Sequence, residues 1–156
     1  MARNFLLELD EAQKHLKTAD HMIYVTFPII REKRLLIKIL EEIYNSTLKI
    51  VNAVLQYEYM MKRIKLYNDD KLNFEVFRQK CAQRYNIQPE QIENIRSILK
   101  LVEQHKQSPL EFARRDKFII MSDTMHFETI NIEKLKSFLF TVKDIAMKVG
   151  ASINKY

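Results

Sequence analysis

Few residues in this 156-residue chain have types and spacings that could do chemistry, and most of them drop out on inspection. The one cysteine, Cys81, could act as a nucleophile only as a thiolate, in an electropositive and partly open setting. It instead falls on the apolar side of a short helix with Phe74 and Phe77, so packing is its expected role. The four histidines, His15, His21, His105 and His126, form no His-x-x-x-His pair. Glu11 and His15 stand four apart with no second such pair, and Glu-x-x-His, which a di-metal helical bundle needs twice, is absent. A single Gly leaves no glycine-rich phosphate loop and no Gly-x-Ser-x-Gly elbow. Asp123, His126 and Glu128 have acid–base character, but no nucleophile or ligand spacing joins them. No catalytic residue, metal or cofactor is expected.

Binding chemistry is better represented. Arg31, Lys33 and Arg34 crowd the start of the longest helical pattern, where the helix dipole favours acids. A helix start also offers backbone N–H groups to an anion. The expected site is therefore an anion or nucleic-acid site at Arg31, Lys33 and Arg34, with His21 and Tyr24 nearby. Lys62, Arg63 and Lys65 form a second basic cluster about 30 residues on, roughly 45 Å along a helix, so the two make no single patch. There the cations suit the C-terminal dipole. Arg78, Lys80 and Arg84 beside Tyr85, and Arg114, Arg115 and Lys117, are lesser basic groups. Tyr and Phe at helical spacing read as core before they read as base-stacking platforms.

These groups must be held by helices. One Gly and three Pro allow few tight turns, which disfavours sandwiches, barrels and dinucleotide-binding folds. With 47% apolar and 29% charged residues the chain can bury a core as one domain, residues 1–156. A first helix is expected over 4–25, ending before Pro28, because a residue preceding proline leaves helical geometry. A second, over 32–67, carries Leu36, Leu40, Ile43, Thr47, Ile50, Val54, Tyr57, Met61 and Ile64 in one stripe. A further stripe runs through Ile37, Tyr44, Leu48, Val51 and Leu55. So broad a face needs several neighbours within the chain or a dimer seam. Asn68-Asp69-Asp70 is expected to end that helix. Shorter helices are expected over 74–83 and 89–106, the latter opening on Pro89.

Ser108-Pro109-Leu110-Glu111 reads as a capping box opening one or two helical turns. Phe118-Ile119-Ile120-Met121, a turn at Ser122-Asp123-Thr124 and a return strand over His126–Ile130 form an expected hairpin near 117–130. Asn131 should cap a last helix over 132–153 with Leu135, Phe138, Val142, Ile145 and Val149 inward. The fold class is all-α: an antiparallel bundle of four to five helices about a long central one.

The net charge of +6 permits a polyanionic partner without demanding one. A single cysteine and an acidic N-terminal stretch point to a reducing, cytoplasmic setting. The longest charge-free apolar run, Met22 to Ile30, is far short of the about 20 residues a membrane span needs. No membrane role is expected. The Ile- and Lys-rich composition suggests an AT-rich or archaeal source.

The long helix pair at residues 5–107 resembles, in outline, HEPN-type helical bundles. These are small prokaryotic domains, often dimeric, several of them ribonucleases or toxin–antitoxin components. The active members carry an Arg followed within a few residues by a His. No Arg here precedes a His at that spacing, Arg96 to His105 being too long, so the resemblance implies the fold without the nuclease. Ala19-Asp20-His21, Tyr24, Pro28 and Leu35-Leu36 are also similar to the opening of small archaeal proteins of no known activity. The expected function is a non-enzymatic partner-binding or self-assembling bundle, as a homodimer. The alternative is an RNA- or polyanion-binding module acting through the basic start of the second helix, and a HEPN-like nuclease is a distant third.

Overall fold

The computed structural model describes residues 4–107, 110–114, 117–121 and 127–153. The first helical arm does not stop before Pro28. Helix α1 (Asn4–His21) passes into a π-helical turn over Met22–Thr26 and then into α2 (Phe27–Ile30). The Phe27 N–H donates to Met22 O, five residues back, which restarts the hydrogen-bond ladder. Pro28 thereby falls in the first turn of a new α segment, where its missing N–H breaks no bond. The arm ends at Arg31, whose left-handed φ of 53° lets its N–H close on Phe27 O at 2.8 Å.

Helix α3 (Arg34–Met60) is the central rod, seven residues shorter at its far end than its apolar rhythm predicts. Lys62 takes φ 60°, its N–H reaches Tyr59 O at 2.9 Å, and the Arg63 N–H reaches Glu58 O at 3.0 Å. This paired closure is a Schellman stop. The Arg63 side chain also returns to the Glu58 carboxylate at 2.9 Å, so one ion pair reinforces the turn. Ile64 keeps the stripe's rhythm and is buried outside any helix, which explains the overestimate.

Asp69 belongs to the next helix rather than the end of α3. Its Oδ1 accepts from the Lys71 and Leu72 N–H groups at 2.8 and 3.4 Å and caps α4 (Asp70–Val76). The expected 74–83 helix is thus earlier and broken: a π turn over Phe77–Cys81 and a 3-10 turn over Ala82–Tyr85 complete it. Asn86 (φ 57°) makes a second Schellman stop, with the Ile87 N–H on Ala82 O at 2.9 Å. Helix α5 (Pro89–Gln107) follows as expected.

The short helix expected after Ser108-Pro109 is a strand instead. Strand β1 (Leu110–Arg114) pairs antiparallel with β2 (Lys117–Met121), which pairs antiparallel with β3 (Phe127–Ile130). The register sets Phe112 opposite Ile119 and Ile120 opposite Glu128. Pairing with β2 supplies β1 with ladder bonds that outweigh a local capping signal. The hairpin expectation holds for β2 and β3, while Ser108, Pro109, the turn at Ser122–Thr124, and His126 lie outside the described residues. Helix α6 (Ile132–Ile153) closes the chain, with Asn131 Oδ1 accepting from the Lys134 N–H at 2.8 Å. It runs through Gly150 to Ile153, the span expected from its stripe.

The result is an all-α bundle with a small antiparallel sheet. Helix α3 packs on α1, α5, α6 and β2, so its broad apolar face is covered within the chain. Leu36, Leu40, Ile43, Ile50 and Val54 are fully buried; Ile37, Val51 and Leu55 of the second stripe are buried too, while Leu48 stays exposed. Phe118, Ile120 and Ile130 bring the sheet into the same core, which reaches from Phe5 to Ile153. Among the described residues no helix is long and apolar enough to cross a membrane.

Candidate anion-binding cleft

The corner where α2 turns into α3 faces the start of α6. Between them lies an open cleft of about 420 Å³ lined by Ile23, Phe27, Pro28, Arg31, Lys33, Ile132 and Lys136. Its floor is apolar: Ile23 is buried, and Phe27 and Ile132 pack against the core. Its rim is cationic. Arg31 arrives through its left-handed corner, with Nε donating to Pro28 O at 3.4 Å. Lys33 is half-buried at the residue before α3. Lys136 comes from the second turn of α6 and sets its ammonium 5.4 Å from the centroid of the Tyr24 ring, a cation–π distance.

Arg31, Lys33 and Arg34 enter no ion pair among the described residues, whereas Lys49, Arg78, Arg84, Lys143 and Lys148 each do. Lys136 has one neighbouring carboxylate, Glu133 at 3.6 Å on its own helix. The Glu32 carboxylate accepts from the Arg34 N–H at 3.3 Å, while its backbone O accepts from the Leu35 N–H. The Leu36 N–H goes to Lys33 O, so the first amides of α3 are occupied. The charge of the rim, and not a bare helix start, is what this corner offers an anion.

The expected residues therefore divide. Arg31 and Lys33 line the cleft, and Tyr24 joins them through Lys136. Arg34 is exposed one residue beyond the lining. His21 lies on the other side of the arm, where it lines a shallow groove with Lys17, Asp20, Val25 and Lys143; there Lys143 pairs with Asp20. Lys136 was missed because it sits more than a hundred residues along the chain, in a helix whose four lysines are spread along its length and form no cluster in the sequence. Only tertiary packing brings it to this corner.

The other basic groups are neutralised in part, through Arg63, Arg78 and Arg84. Arg78 Nη2 lies 2.6 Å from Glu75, which also pairs with Arg96. His15 Nδ1 lies 2.6 Å from Glu42. His105 sits between Glu111, at 2.5 Å from Nδ1, and Glu41, at 3.5 Å from Nε2, tying α5 to β1 and α3. Beneath the far end of α3, the wholly buried Glu58 carboxylate takes Arg63 at 2.9 Å, Arg84 Nε at 2.7 Å and the Tyr85 hydroxyl, which donates at 3.2 Å. Cys81 is buried beside this group. Loss of water, then the Glu58 charge, pushes its thiol up to about 11, the opposite of what a nucleophile needs. Tyr85 is pushed upward by the same causes in the same order.

Glu128 stands 3.8 Å from Lys100, while Asp123 and His126 lie outside the described residues. The described residues contain no group of three or more His, Cys, Asp or Glu placed to hold a metal. No family model, curated protein or solved structure matches the chain, so the cleft's own geometry carries the functional argument.

Proposed function

We propose that this protein is a non-catalytic binding module whose partner is a polyanion, RNA above all, held by the rim of the cleft. The observation that carries this reading is the convergence of three cations from two elements, Arg31 and Lys33 beside α3 and Lys136 on α6, of which only Lys136 enters an ion pair, with Glu133, among the described residues. Arg31 and Lys33 enter no ion pair among the described residues, and cations gathered in this way recruit phosphates by releasing counterions. The triple variant Arg31→Gln, Lys33→Gln, Lys136→Gln tests it by RNA retention across a salt series. Three lost phosphate contacts on a single strand should flatten the log–log salt slope by about two. An unchanged slope rejects the cleft. The same RNA should stay intact without added metal; cleavage would move the reading to a HEPN-like nuclease.

A second reading, self-assembly, no longer draws on α3, whose broad face is covered internally. It draws on α6, where Phe140 and Met147 stand 77% and 66% exposed two turns apart. Light scattering over a concentration series distinguishes the two: a dimer dispersed by Phe140→Ser supports assembly, and a strict monomer rejects it.

A further inference from the structure

Resting on the polyanion reading, we infer that the cleft takes one unpaired nucleotide of a single-stranded RNA, its base against the apolar floor and its phosphate on the cationic rim. A site for bare phosphate needs only charge and donors. This cleft adds a recessed wall of Ile23, Phe27, Pro28 and Ile132 that a phosphate cannot use and a planar base can. The volume of about 420 Å³ falls in the range of small-ligand pockets, enough for one nucleotide and not for a run of them. Tyr24 stands 54% exposed with Lys136 over its ring, placing an aromatic surface and a cation together at the edge where the next base would lie. Base–aromatic stacking with Lys or Arg on the backbone is how single strands are held without reading their sequence.

A duplex fits less well. Its bases are stacked out of reach of a recessed floor, and its evenly spaced phosphates ask for a long basic track. The other basic cluster, at Lys62 and Lys65, lies beyond the opposite end of the 27-residue α3, about 40 Å away. The rim is thus one compact patch suited to one or two phosphates and a splayed base.

The test is fluorescence anisotropy with a labelled single-stranded 12-mer, the same sequence as a duplex, inorganic polyphosphate as competitor, and anionic vesicles as a separate arm. The single strand should bind at least tenfold tighter than the duplex and resist polyphosphate. Tyr24→Ala, at an exposed position that leaves the core intact, should weaken the single strand by about fivefold or more and leave polyphosphate binding unchanged. Phe27→Trp keeps an aromatic in the floor, and its emission should quench with the single strand and not with polyphosphate. Equal binding of all polyanions, with no quenching and no effect of Tyr24→Ala, overturns the nucleotide inference and leaves the polyanion reading standing. Binding of neither RNA nor polyphosphate overturns both, as does retention on vesicles alone.

Discussion

The Glu58 carboxylate, with no exposed surface, lies 2.7 Å from Nε of Arg84, 26 residues further along the chain. One carboxylate thereby joins the end of α3 to the corner before α5, with Arg63 and the Tyr85 hydroxyl on its other oxygen. Removing the partners of a buried charge is costly because that charge is left uncompensated. Arg63→Ala with Arg84→Ala leaves the Glu58 carboxylate buried with only the Tyr85 hydroxyl and should lower stability by about 3 kcal/mol in urea unfolding. Glu58→Gln should cost less, since it removes the buried charge and leaves the Arg63 and Arg84 heads, 33% and 48% exposed, to water. A double arginine variant as stable as the parent would show that the ion pairs are not what closes this corner.

Burial of the Cys81 thiol has a consequence in pH. The ordinary thiol value is 9.0 and the folded one about 11, so above pH 9 the unfolded chain ionises first and gains stability relative to the fold. The urea midpoint should fall as pH rises from 9 to 11, with Tyr85 acting in the same direction. Cys81→Ala should make that decline shallower. The native thiol should also resist iodoacetamide at pH 8 and react at once when unfolded; rapid native alkylation would show that Cys81 is not sealed.

Lys62 occupies the left-handed C′ position of the Schellman stop with a side chain that disfavours it. Lys62→Gly should therefore stabilise the protein by about 1 kcal/mol, read as a higher melting temperature. A loss of stability would mean that the lysine makes contacts worth more than the backbone strain it imposes.

Asn131 joins the sheet to α6 and accepts the Lys134 N–H at 2.8 Å. Asn131→Ala should cost about 1 kcal/mol, and Asn131→Asp should recover it. Hydrogen exchange should show the loss confined to the first turn of α6.

Regular stretches were legible in the sequence because their burial pattern and their backbone agree. The stripe of α6 and the opening of α5 at Pro89 are both in this class. What misled was burial without regular backbone, as at Ile64, and backbone set by a distant partner, as in β1, whose local signature is helical. The π turn before Pro28 follows the same logic: a proline forbids one hydrogen bond, and a widened turn moves the ladder past it. Of the cleft, Arg31, Lys33 and Tyr24 could be named in advance because they are near in sequence. Lys136 could not, since its place depends on how α6 docks, and neither could Glu58, an acid within an apolar stripe that declares itself only when Arg63 and Arg84 are seen to converge on it.

The meander between α5 and α6 is small enough to pass for ornament, yet Phe118, Ile120 and Ile130 all turn inward from it. It works as the stopper of the bundle's end. An engineer shortening this chain could not splice Gln107 to Ile132 without uncorking the helices beneath, whereas the outward-facing Phe127 offers a place to graft new surface while the seal stays in place.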